Sequence, residues 1–241
     1  MERLICLAIG YVFGLFQTGY IYGKMHNIDI RQHGSGNAGA TNVVRTLGRK
    51  AGITVFFGDA FKTIFACTAA RIIFAGHPDV DLFALWGGFG AILGHNFPFY
   101  LKFKGGKGIA ATAGILAATD WRMCVVCGIV FFGAMYTTKY VSVGSILLVI
   151  AFFVMAVLFG SAGDYTISAA SLPEYYVLAG VIMIMAIWRH RANITRLMNG
   201  TENNIGAKKK EEDRLWQRLV LLVPVHGELQ SLYYCITMVI R

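Results

Sequence analysis

Three segments of the chain hold polar residues in patterns that suit a phosphate group. In the first, Gly34-Ser35-Gly36-Asn37-Ala38-Gly39-Ala40-Thr41-Asn42 is followed by Arg45. Glycines free a backbone to aim several N–H groups at one point. Ser35, Asn37, Thr41 and Asn42 add side-chain donors, and the planar guanidinium of Arg45 matches phosphate oxygens. In the second, Gly94-His95-Asn96-Phe97-Pro98 leads into Phe103-Lys104-Gly105-Gly106-Lys107-Gly108. Two lysines around a glycine pair form another anion cradle. A helix starting behind them would turn its free N–H groups toward the same ligand. In the third, Trp188-Arg189-His190-Arg191-Ala192-Asn193-Ile194-Thr195-Arg196 precedes Asn199-Gly200-Thr201-Glu202-Asn203. His190, Asn193 and Arg196 recur every three residues and can share one helix face.

Smaller features accompany these. Tyr140-Val141-Ser142-Val143-Gly144-Ser145 supplies hydroxyls, and Asp59 and Lys62 stand three apart in an apolar stretch, where they can pair. Charges inside a membrane are costly and face the bundle interior, either as a structural pair or in support of a site. Residues 34–39 match G-x-G-x-x-G, but Arg31-Gln32-His33 precedes them where a dinucleotide fold needs a strand. Lys107 is followed by glycine and not by Ser or Thr, so the second segment is no P-loop. Cys124 and Cys127 form a C-x-x-C inside an apolar helix without a second pair or a nearby histidine, and read as packing residues. No metal and no cofactor is expected.

These segments must be positioned by membrane helices. The 241 residues are 56% hydrophobic and only 15% charged, where a soluble domain carries about a quarter charged residues. The apolar residues fall in long blocks. The first, Leu4 to Tyr22, lacks a small-residue cleavage site and reads as a retained helix. The pattern predicts an all-α polytopic membrane protein of about seven spans, near 4–23, 52–74, 82–100, 108–119, 123–137, 143–160 and 174–188. Five spans follow instead if the pair 108–137 only dips into the membrane. Gly10/Gly14 and Gly90/Gly94 form small faces for close helix packing.

With seven spans, one side carries all but four of the 22 lysines and arginines, the exceptions being Arg3, Lys62, Arg71 and Arg122. The positive-inside rule puts that side in the cytoplasm, with the N-terminus outside and the C-terminus inside. The formal charge of +9 therefore serves orientation and anion binding and does not point to nucleic acid. Residues 1–206 are expected to form the membrane-embedded part, and 207–241 a cytoplasmic extension. Its Lys208-Lys209-Lys210 and the mixed segment after it suggest an interfacial helix, while Leu229 to Ile240 is too short to span with certainty.

GSGNAGATN-x-x-R, GHNFP-x-x-x-x-FKGGKG and HR-x-NI-x-RL-x-x-GTEN occur in this order among hydrophobic blocks. Together they resemble the acyl-phosphate-dependent glycerol-3-phosphate acyltransferases of bacterial phospholipid synthesis, over residues 1–206. Ala38 stands where that family more often has Ile, and Thr63 where Asp59 and Lys62 are usually followed by Gly. The tail from 208 is not part of the pattern. The resemblance implies transfer of an acyl group from acyl phosphate to the 1-hydroxyl of sn-glycerol 3-phosphate, giving lysophosphatidic acid and phosphate. It implies a multi-pass protein of the bacterial cell membrane, with membrane lipids and the enzyme that makes acyl phosphate as partners. Ser35, Gly36, Asn37, Thr41 and Asn42 would cradle the acyl-phosphate head, with the Gly105-Gly106 backbone completing the cradle. Arg45, Lys104, Ser142, His190 and Asn193 would bind and orient glycerol 3-phosphate, and Lys107 could serve either phosphate.

The chemistry fits the residues independently. An acyl phosphate is already activated, so holding the partners in attack geometry and stabilising negative charge are sufficient. The H-x-x-x-x-D motif of another acyltransferase class is absent, because His77-Pro78-Asp79-Val80-Asp81 has the wrong spacing. No acyl-enzyme is expected, and by resemblance the donor's phosphate accepts the hydroxyl proton. The competing reading is an organic-phosphate transporter. Against it, the donors gather on one side and no inverted repeat with broken helices is present. A purely structural membrane subunit would not need three such loops.

Overall fold

A computed structural model of the chain describes residues 1–205, and all regular structure among them is helical. The expected interfacial segment from 208, the stretch Leu229 to Ile240 and Cys235 lie outside the described residues. Residues Met1–Glu202 form one compact unit, and Asn203–Arg241 divide off as a second.

The first apolar block makes α1 (Glu2–Gly14) and α2 (Thr18–Met25), together one stretch of 24 residues. At the joint, the Gln17 amide donates to the carbonyls of Gly14, Gly94 and His95, each at 3.1 Å. Backbone freed by the break is thus tied to a neighbouring helix, as a low-dielectric setting requires. After the glycine-rich loop come α3 (Ala40–Leu47) and the long α4 (Arg49–Ile73). The rest of the unit is α5 (Val80–Asn96), α6 (Ile109–Thr119), α7 (Trp121–Thr138), α8 (Val141–Ala162), α9 (Leu172–Arg189) and the short α10 (Arg191–Met198).

Among the described residues, five stretches are long and apolar enough to cross a membrane: Glu2–Met25, α4, α7, α8 and α9. The expected seven-span list thus contains two shorter members, α5 with 17 residues and α6 with 11. The five-span alternative, in which the 108–137 pair only dips into the membrane, fits the length of α6 but not that of α7, which has 18 residues. In α6 the apolar run is bounded by Gly108 at its start and Asp120 at its end, and Asp120 instead caps α7 by accepting the Arg122 N–H at 2.7 Å.

The helix ends sort by charge. At one end Arg3 pairs with Glu174 at 2.6 Å, Arg71 with Asp81 at 2.8 Å, and Arg122 with Asp164 at 2.7 Å. The Arg71 guanidinium also donates to the Ala118 carbonyl, and Asp79 accepts from Ser168 N–H and Ser171 Oγ at 2.8 and 2.9 Å. These contacts join the starts of α1, α5, α7 and α9 to the finishes of α4, α6 and α8. The three arginines that stood apart from the basic side are each neutralised there by a carboxylate.

The close centre is the crossing of α1 and α5. A Cβ on Gly10 would meet the Gly87 carbonyl, one on Gly90 the Leu7 carbonyl, and one on Gly94 the Tyr11 carbonyl. The two backbones touch, which is how helices gain contact where lipid removes most of the hydrophobic driving force. Leu82, Phe83 and Ile92 of α5 pack with Ile115 of α6, Phe152 of α8 and Ile182 of α9 in one buried cluster. The end opposite the acidic contacts carries the three polar segments.

Candidate active site

The glycine-rich loop is built around one side chain. Asn42 is 1% exposed; its amide donates to the carbonyls of Ile30, His33 and Asn37 at 3.0, 2.9 and 2.9 Å. Its oxygen accepts the Ser35 N–H at 2.7 Å. Gly34 (φ +58°) and Gly36 (φ +70°) take left-handed conformations, and a Cβ on Gly34 would strike the Asn42 oxygen. The Asn37 oxygen accepts the Gly39 N–H at 2.9 Å and leads the chain into α3. Asn42 therefore shapes the cradle from inside and has no donor left for a ligand. Ser35 and Thr41 remain exposed.

The 103–108 loop folds under the end of α5. Gly105 and Gly106 N–H groups donate to the Asn96 and His95 carbonyls at 3.2 and 3.1 Å. Their carbonyls accept from Arg189 at 3.1 and 2.6 Å. A Cβ on Gly106 would strike the His95 ring. The pair therefore packs the loop against α5 and α9, and its amides point inward and not to an anion as expected from the sequence.

One cavity of about 120 Å³ brings the three segments together. Its wall includes Ser35, Asn37, Thr41, Asn42, Arg45, Lys107, Ser142, His190 and Asn193 of the expected residues. It also includes Gly39 and Ala40 at the start of α3, Gly108 to Ala110 at the start of α6, Val141 at the start of α8, and the His190–Asn193 turn that opens α10. Four helix starts thus border one space. Each brings unpaired N–H groups and the positive end of its dipole. Phe56 of α4 and Phe131 of α7 add apolar surface to the same wall.

Lys104 is not in this wall. It is exposed and lines a neighbouring depression with Arg31, Lys102 and Arg189, where Gly36 and Gly105 also lie. Asn37 lines both spaces, so the glycine loop separates them. The sequence put Lys104 and Lys107 in one cradle; the left-handed turn at Lys102 and Phe103 sends Lys104 outward.

Glu202 lies in the GTEN motif without an expected role, and in the structure it is a hub. Its Oε1 accepts from Ser142 Oγ at 3.1 Å and Asn193 Nδ2 at 2.8 Å, and its Oε2 from Arg196 Nε at 2.7 Å. Partial burial works against the charge of Glu202, yet the bonds from Asn193 and Arg196 hold its carboxyl below the usual range. The Asn193 oxygen in turn accepts from the Lys107 ammonium. Burial, aided by Arg196, lowers Lys107 to about 8, with Glu202 opposing. Burial, then Lys107, lowers His190 to about 4. The imidazole is neutral at pH 7. His190 Nδ1 donates to the Ala186 carbonyl at 2.8 Å, which leaves Nε2 as an acceptor. A carboxylate amid arginines and lysines was the signal that could have marked Glu202.

The profile of the glycerol-3-phosphate acyltransferase family matches residues 4–200. The chain belongs to the glycerol-3-phosphate acyltransferase family. A glycerol-3-phosphate acyltransferase of Halalkalibacterium halodurans is 40% identical, covering 87% of this chain and 99% of the relative. One of Macrococcus caseolyticus is 38% identical, over 87% of this chain and 100% of the relative. The crystal structure of PlsY, an integral membrane glycerol 3-phosphate acyltransferase, in its glycerol 3-phosphate form superposes with a TM-score of 0.74 at 33% identity, covering 87% of this chain and 98% of PlsY. The lysophosphatidic acid form gives 0.71 at 33%, over 85% and 95%. The acyltransferase family resemblance drawn from the three motifs is therefore correct.

Proposed function

We propose that this protein transfers an acyl group from acyl phosphate to the 1-hydroxyl of sn-glycerol 3-phosphate. The carrying observation is the cavity where four helix starts, Arg45 and Lys107 border one space beside Phe56 and Phe131. Oriented N–H groups and cations suit phosphate, and the aromatic wall between α4 and α7 suits a fatty chain. Family membership supports glycerol 3-phosphate as the acceptor.

In the reaction the C1 oxygen attacks the acyl carbon and forms the ester. The bond from that carbon to the phosphate oxygen breaks, and the leaving phosphate takes the hydroxyl proton. The products are lysophosphatidic acid and inorganic phosphate. No protein nucleophile is required, because the donor is an activated anhydride. Ser35, Asn37, Thr41 and the start of α3 hold the donor's phosphate, with Asn42 and Gly36 shaping that loop. Arg45, Ser142, His190 and Asn193 bind and orient the acceptor, with Lys107 between the two phosphates. Lys104 belongs to the approach, in the adjoining depression, and Gly105 and Gly106 seat Lys107.

We further read seven crossings with the site on the cytoplasmic face of a bacterial cell membrane and the N-terminus outside. The alternating helix directions support the count, and the collection of cations on the site's side supports the orientation. Lipids and the enzyme that makes acyl phosphate are the proposed partners. The test is incubation of detergent-purified protein with acyl phosphate and labelled glycerol 3-phosphate. Labelled lysophosphatidic acid is expected; no product, together with uptake of label into proteoliposomes, would establish a transporter instead.

A further inference from the structure

Two buried charges on α4 take no part in the proposed transfer. Asp59 of α4 is 1% exposed and pairs with Lys62, itself 4% exposed, at 2.8 Å. Its Oδ1 accepts from Lys62 and, at 3.1 Å, from Thr18 Oγ1. Its Oδ2 is buried and has no hydrogen-bond partner among the described residues. Such an atom costs stability unless something else serves it. Asp59 also lines the active-site cavity.

We propose that Asp59 is a positioning residue for the acceptor: its unpartnered oxygen takes the hydrogen bond of the C2 hydroxyl of glycerol 3-phosphate. The inference rests on glycerol 3-phosphate being the acceptor. Lys62 cannot fill this role, because its three hydrogens go to Asp59, the Phe16 carbonyl at 2.7 Å and His95 Nδ1 at 2.9 Å. It fixes the carboxylate in one orientation. The other carboxylate of the cavity, Glu202, has both oxygens taken by Ser142, Asn193 and Arg196. Among the described lining residues, Asp59 thus holds the carboxylate oxygen without a hydrogen-bond partner, and a carboxylate recognises a donor. Ionised phosphates offer acceptors, whereas the glycerol hydroxyls offer hydrogens. The C1 hydroxyl gives up its proton as the ester forms. The C2 hydroxyl keeps its proton throughout and needs a fixed acceptor.

The consequence is acceptor selectivity. A C2 ketone, as in dihydroxyacetone phosphate, would turn lone pairs toward the carboxylate. 3-Hydroxypropyl phosphate, which has no C2 substituent, would leave the oxygen unserved. A site built around a substrate hydroxyl rejects the analogue lacking it.

The experiment compares kcat/KM for these three acceptors with acyl phosphate in detergent. The wild-type protein should favour glycerol 3-phosphate over 3-hydroxypropyl phosphate by about 10- to 100-fold, the range of a charged hydrogen bond. Asp59→Asn combined with Lys62→Met avoids a lone buried ammonium and should bring that ratio to roughly threefold or less. The new amide should also raise use of the ketone relative to glycerol 3-phosphate. A purely structural ion pair would lower turnover on all three acceptors alike and leave the ratios unchanged, which overturns the inference. So does a wild-type enzyme that uses 3-hydroxypropyl phosphate as well as glycerol 3-phosphate, a result readable even if the double variant fails to fold. Absence of transfer to any acceptor by the wild type is a different outcome, and it overturns the proposed function together with this inference.

Discussion

Arg45 and Lys107 line the same cavity but differ in how burial treats their charge. A guanidinium stays protonated across the working range, whereas burial brings the Lys107 ammonium to about 8. The kcat/KM for glycerol 3-phosphate reports the free enzyme. It should therefore fall as pH rises through about 8, and Lys107→Arg should remove that basic limb. Arg45→Ala should lower the same parameter by about 100-fold, as expected for lost charged hydrogen bonds to phosphate; unchanged acceptor saturation in Arg45→Ala would refute its assigned contact. His190 gives a stability prediction of opposite pH range. The unfolded imidazole takes a proton near 6.5, while the folded one stays neutral down to about 4. Its contribution to stability is thus complete above about 6.5 and is lost as pH falls toward 4. Thermal inactivation at pH 7 and pH 5 should differ less in His190→Gln than in the parent. At this scale the residue types were legible and their directions were not. Asn42 and Ser35 look alike as donors in the sequence, yet only the folded loop turns the Asn42 amide onto three carbonyls. Glu202 was hidden because its partners, Ser142 and Arg196, are brought to it by different helices.

Among the elements, long apolar blocks translated directly into α4, α8 and α9, and the four-residue glycine steps into the α1–α5 crossing. What composition did not carry is helix length near charged or glycine-rich joints, so α5 and α6 came out shorter than a full span. That shortness has a use, since α6 begins at the cavity and ends at the Arg71 contact. The crossing is testable with a matched pair. A Cβ on Gly94 meets the Tyr11 backbone, whereas one on Gly128 of α7 meets nothing within 4 Å. Gly94→Ala should destabilise by about 1–3 kcal/mol, the usual range for overpacking. Gly128→Ala should be close to neutral, and equal thermal inactivation of the two in detergent would refute backbone contact.

For the whole molecule, the motif order carried the family, because it is a sum over many residues and survives an error at any one; the charge bias, a sum of the same kind, supports the proposed orientation. Lys50→Cys and Gly163→Cys, in a chain without its own cysteines, should label with a membrane-impermeant thiol reagent from the cytoplasmic and outer faces respectively; both are exposed at opposite ends. Labelling from one face would contradict the proposed topology. A chain ending at residue 207 should keep transfer activity, since the cavity wall lies within residues 35–202. The central claim is catalysis by holding an activated donor, without a protein nucleophile. Its most direct test offers the purified protein labelled glycerol 3-phosphate with acyl phosphate, acyl-CoA or acyl carrier protein in parallel, then quenches in acid and examines the protein by mass spectrometry. Labelled lysophosphatidic acid from acyl phosphate alone, with no acyl group on the protein, is the predicted result. Equal product from acyl-CoA or acyl carrier protein, or a covalently acylated chain, would contradict it.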